Sequence, residues 1–107
     1  MQLVRLQKQH LDRIKRGEKR FEIRVESPWT QSVKRGDEIL FAAGPYTALA
    51  TVCSVRRFPT REALLQSLPA KDLGAESIGE ARGILARIYP NDPPLVAWEI
   101  GNIKERR

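Results

Sequence analysis

One cysteine and one histidine in 107 residues remove several chemistries at once. Cys53 alone makes neither an intramolecular disulfide nor a cysteine-based zinc site, and nothing in the cysteine usage speaks for an oxidising compartment. Lying in the apolar run Ala48 to Val55, it reads as core filler rather than a nucleophile. His10 alone argues against a histidine metal centre or a Ser-His-Asp triad, and is expected in a surface or capping role. Long apolar runs are also missing: Leu49 to Val55 falls far short of the roughly 20 residues that a membrane-spanning helix requires. There is no signal segment, lipidation motif, internal repeat or low-complexity linker. Without a Walker motif or a Gly-x-Gly-x-x-Gly run, no triphosphate or dinucleotide cofactor is implied. The expectation is a cytoplasmic protein without cofactor, metal or membrane partner. Residues 1–107 should form a single domain, since domains commonly run to roughly 100–150 residues.

Acidic residues are in short supply. Against 13 Asp and Glu stand 19 Lys and Arg, giving a formal charge of +6 and a pI near 10, which biases the protein toward polyanions. The basic residues recur in short runs, among them Arg13-Lys15-Arg16, Lys19-Arg20, Lys34-Arg35 and Arg56-Arg57. Lys104 to Arg107 reads as a solvated tail.

Gln2 to Leu6 suits a short first strand, and Leu11 and Ile14 mark a short helix closed by Gly17. A strand from Arg20 to Val25 follows, then a loop from Glu26 to Arg35 that carries Pro28 and Trp29. Gly36-Asp37 turns into a strand over Glu38 to Ala43. Gly44-Pro45 breaks it before a longer strand, Tyr46 to Arg57, whose imperfect alternation fits burial on both faces or curling around a barrel. Thr60 and Ser77 have the positions of helix N-caps, Pro69 and Pro90 end the two helices, and Leu95 to Ile100 closes the chain as a strand. The class is α+β: five or six strands, able to close as a small barrel, and about three short helices.

The segment Gly17-Glu-Lys-Arg-Phe-Glu-Ile-Arg24 carries the most chemistry. In an extended chain Phe21, Ile23 and Val25 share one side and Arg20, Glu22 and Arg24 the other, with Lys19 at the mouth. This predicts a carboxylate held between two guanidinium groups, an arrangement suited to orienting a ligand amine. As a general base it would activate water, with Lys19 stabilising an oxyanion. Trp29 is a candidate to stack a base or to cap the core. Lys34, Arg56 and Arg57 are candidates for phosphate contacts.

The order of elements, with Gly17, Lys19, Glu22 and Arg24 followed by Gly36 and Asp37 and a closing Val-Ala-x-Glu-Ile strand, resembles the ASCH domain of the PUA-like superfamily over nearly the whole chain. The resemblance implies a pseudo-barrel with helices packed outside and a basic cleft at the Lys/Glu/Arg strand, binding RNA or an RNA-derived nucleoside or nucleotide. A branch of that family resembling N4-acetylcytidine amidohydrolases carries Lys-Thr-x-Thr-x-Arg and a later catalytic glutamate; another member is described as a ribonuclease. Here Lys19 and Arg24 match, Arg20 and Glu22 replace the two threonines, and Glu76 is the nearest candidate for the later glutamate. Three readings stand: a binding module using Lys19, Glu22 and Arg24; a metal-free hydrolase with Lys19, Glu22 and Glu76 as catalytic groups; and a protein-interaction module whose charge serves solubility.

Overall fold

The computed structural model describes residues 2–106. Its elements run β1 (Gln2–Arg5), α1 (Lys8–Lys15), β2 (Phe21–Val25), α2 (Pro28–Gln31), β3 (Glu38–Ala43), β4 (Tyr46–Phe58), α3 (Arg61–Ser67), a 3₁₀ turn (Ala70–Asp72), α4 (Ile78–Ile88) and β5 (Leu95–Arg106). The five strands form one curled sheet in the order β1-β3-β4-β5-β2, a half-barrel with the helices outside. β1 runs parallel to β3 and the other neighbours are antiparallel. The two strands nearest the start of the chain are therefore the two sheet edges. No helix among the described residues is long and apolar enough to cross a membrane.

The sheet separates two cores, and β5 shows why through its period of two. Val96, Trp98 and Ile100 pack with Leu11 and Ile14 of α1, Val33, Phe41 and Val52. The alternate residues Leu95 and Ala97 pack with Phe21, Phe58, Leu64, Leu68 and Leu85 beneath α3 and α4. α3 and α4 are started by the side chains the sequence points to: Thr60 accepts from the Ala63 amide at 3.1 Å and Ser77 from the Glu80 amide at 3.0 Å, satisfying amides that the first turn leaves open.

Three features differ from the sequence reading. Lys104 to Arg106, expected in a solvated tail, continue β5 and pair with Leu49, Ala48 and Thr47, while Arg107 lies outside the described residues. The loop after β2 contains a helix, α2, one more than the three expected. Ser27 caps it by accepting from the Thr30 amide, Thr30 returns the bond to the Ser27 amide at 2.7 Å, and Pro28 opens the first turn. Thr30 thus stands where a Glu or Gln usually completes this reciprocal cap, and Ser27-Pro28 was the local sign of it. Cys53 is exposed and does not fill the core. Val52 pairs with Ile100 and Ser54 with Glu99, so Cys53 is the extra residue of a bulge and rotates out of the alternation.

Candidate functional site

β2 has a single neighbour, β5, and Glu22 lies directly across from Trp98. That register draws the carboxylate inward, where Glu22 is only 3% exposed. An isolated carboxylate at such a depth would be costly, and this one is paired on both oxygens. Lys19 Nζ stands 2.8 Å from Oε1, while Arg24 reaches Oε2 with Nη2 at 2.6 Å and Nε at 2.9 Å. Lys19 keeps two further donors and Glu22 Oε1 an unfilled lone pair, so the pair presents a donor beside an acceptor.

The cation opposite Arg24 is an ammonium, which corrects the expected clamp of two guanidinium groups. Arg20 instead pairs with Glu99 at 3.1 Å, and Glu99 also accepts from Ser54 at 3.0 Å. The reason is that regular alternation starts only at Phe21. Gly17 takes φ +74°, Lys19 bridges to Leu73, and the Arg20 amide donates to the Asp72 carbonyl. The approach to β2 is thereby tied to the 3₁₀ turn, with Lys19 on the Glu22 side.

Lys19, Glu22, Ile23 and Arg24 form one wall of a cavity of about 270 Å³ between α1, β2 and α4. His10 and Arg13 come from α1, Leu73 to Ala75 from the loop, and Ile84, Leu85, Ile88 and Tyr89 from α4 and its end. The result is a chamber with apolar walls from α4 and polar groups from α1 and β2, slightly below the roughly 300–1,000 Å³ of drug-sized sites. Tyr89 donates its hydroxyl to the Ile23 carbonyl at 3.0 Å, fastening the end of α4 to the free edge of β2. Its pKa is raised, first by burial and then by Glu22. His10 is pushed the other way from the ordinary histidine value: burial lowers its pKa first, then the nearby Lys19 and Arg13 cations, with Glu22 opposing. Arg13 donates from Nη1 to the Gly74 carbonyl. Gly74 takes φ +85°, and a Cβ there would lie 3.3 Å from that same nitrogen, so glycine permits the close approach.

The other sequence candidates are dispersed. Trp29 is 41% exposed on α2, edge-on to Trp98 with centroids 5.7 Å apart, and donates to Gln2 at 2.7 Å, away from the cavity. Lys34 is exposed after α2, its amide held by Asp37. Arg56 lies over the Phe58 ring and Arg57 pairs with Glu26 at 3.0 Å; both are exposed, on opposite faces of β4. Glu76 borders a neighbouring groove and not the cavity. Conversely, His10 and Arg13 line the cavity although nothing local in the chain joins α1 to β2. The spacing of His10 and Arg13, one helical turn apart, was the available sign. Among the described residues no three of His, Cys, Asp and Glu cluster closely enough to hold a metal ion.

A curled five-stranded sheet with Lys19 and Arg24 closing on a buried Glu22 at its open edge defines a small barrel-like domain with a lateral cleft. Residues 4–105 match the family model of the ASCH domain, and the chain belongs to that family. ASCH domains are generally thought to bind RNA. The fold is similar to that in the crystal structure of hypothetical protein PH0355, at 25% identity and a TM-score of 0.77 over 94% of this chain and 97% of that one. It is also similar to the solution structure of protein PF0455 from Pyrococcus furiosus, at 25% identity and a TM-score of 0.62 over 92% and 94% of the two chains. No curated protein matches the sequence significantly.

Proposed function

We propose that this protein binds RNA, or a nucleoside or nucleotide derived from it, with the base entering the cleft at Lys19, Glu22 and Arg24. The observation that carries the reading is Glu22: a carboxylate 3% exposed, paired on both oxygens, and the one acidic group in a chamber lined by apolar side chains, His10 and three cations. Apolar side chains of similar volume would serve stability as well or better, which favours recognition as the reason for the charges. The adjoining donor and acceptor of Lys19 and Glu22 complement the paired acceptor and donor on a base edge, and the apolar walls accept its faces.

The test is a calorimetric titration with short RNAs, the four ribonucleosides and N4-acetylcytidine at two salt concentrations, with each mixture checked for product. Binding that is lost in Lys19→Ala supports the cleft. Binding untouched by Lys19→Ala and by Glu22→Leu refutes it, and silence toward every ligand leaves the protein-interaction module in front. Metal-free hydrolysis in the same cleft is a second reading, and His10 favours it: an imidazole held neutral beside Lys19 and Glu22 offers a base for water. Product formation abolished by both His10→Gln and Lys19→Ala would establish that alternative.

A further inference from the structure

Three cations line the cleft against one carboxylate, and they are not equivalent. Lys19 and Arg24 both hold Glu22. Arg13 has no carboxylate partner among the described residues, only the Gly74 carbonyl, which leaves four of its five N–H donors for a ligand. Arg13 also borders a second, more open and polar groove of about 630 Å³, so its side chain stands in the partition between the two hollows. The Gly74 bond fixes it there, in a fork geometry suited to bidentate contact with phosphate.

We propose that Arg13 is a phosphate-binding residue, and that the cleft takes a nucleoside carrying a single phosphate, its base against Glu22 and its phosphate at the junction with the open groove. This rests on the cleft reading above and narrows it. One phosphate suffices because the groove beyond Arg13 holds more carboxylates than cations. Arg20 and Lys71 face Glu18, Asp72 and Glu76 there, and Arg20 is already held by Glu99. A longer polyphosphate would meet carboxylates instead of cations. The same phosphate could come from a free mononucleotide or from a phosphodiester in an RNA chain, whose next residue would then lie in the groove.

The experiment compares the wild-type protein's affinity for each ribonucleoside, its 3′- and 5′-monophosphates, its 5′-triphosphate and the dinucleoside monophosphates. One monophosphate should bind about tenfold or more tighter than its nucleoside, the scale of one charge-assisted hydrogen bond, and the triphosphate no tighter. In Arg13→Gln the ratio of the two affinities should fall to near one, and Arg13→Lys should keep part of it. NMR titration of His10, which faces Arg13, Lys19 and Glu22, should show its pKa raised by the bound monophosphate and not by the nucleoside. Tighter binding of dinucleoside monophosphates than of mononucleotides assigns the phosphate to RNA; the reverse assigns it to a free nucleotide. Equal affinities for nucleoside and monophosphate overturn the phosphate role while the cleft reading stands. A gain that persists in Arg13→Gln overturns the assignment to Arg13, and binding of none of these ligands overturns both. Should Arg13→Gln fail to fold, the wild-type affinity ratio and the His10 titration still decide the matter.

Discussion

Removing the charge of Glu22 should be far more harmful than removing the whole triad. In Glu22→Gln the shape is kept, but Lys19 and Arg24 then face each other without a carboxylate between them. Their side chains are 15% and 32% exposed, so solvent screens part of the repulsion. Breaking a buried ion pair on one side costs about 3–5 kcal/mol, and with that screening the lower end, about 3 kcal/mol, applies. A domain of this size is stabilised by about 5–15 kcal/mol in all, and about 1 kcal/mol corresponds to about 4–8 °C, so a fall in Tm of roughly 12–24 °C is expected. The triple replacement Lys19→Met, Glu22→Leu, Arg24→Met removes all the buried charge together, and exchanges of that type are neutral or stabilising by about 1–4 kcal/mol. Urea unfolding followed by circular dichroism measures both variants, and calorimetry with RNA measures what is left of binding. The expected pattern is an unstable single variant and a stable triple variant that no longer binds. A Glu22→Gln protein within about 1 kcal/mol of wild type, or a triple variant that fails to fold, would refute the reasoning.

Tyr89→Phe deletes the bond to the Ile23 carbonyl and should cost about 0.5–1.5 kcal/mol in urea unfolding, with increased amide exchange along β2. Gly74→Ala forces a side chain into positive φ beside Arg13, and should lose about 1–2 kcal/mol and shift the Arg13 side-chain resonance in NMR spectra. Stability should depend on His10 in mildly acidic solution. Its folded pKa lies below the unfolded value of 6.5, so its contribution is complete above about pH 6.5 and lost as the pH falls through the folded pKa. Thermal melts between pH 7.5 and 5 should therefore decline more steeply in the wild type than in His10→Gln, and equal slopes would contradict the assignment.

How much of this was legible beforehand depended on distance along the chain. Local signals served well. Thr60 and Ser77 cap helices, Gly17 ends one at positive φ, and Gly44-Pro45 separates β3 from β4. Lys19, Glu22 and Arg24 were recognisable as a unit because three and two residues separate them. Arg20 departs from the alternation of β2 because its segment is held by the 3₁₀ turn. Cys53 was misread for a similar reason, since a bulge breaks the period of two without a local mark in the sequence. His10, Arg13 and Tyr89 reach the cleft through tertiary packing of α1 and α4 against β2. No periodicity within either helix says which strand it will meet.

The neighbour of β2 has a consequence for synthesis on the ribosome. β2 is made about 70 residues before the strand it pairs with among the described residues, β5, which begins at Leu95. Arg13 and Gly74 are 61 residues apart in the chain, and Ile23 and Tyr89 are 66 apart. Because chains emerge N-terminus first, Phe21 to Val25 must wait unpaired until β5 has been made. A nascent chain stopped before Leu95 should therefore expose an orphan strand and hold no ligand, so ligand capture by arrested chains of increasing length would date the moment of docking.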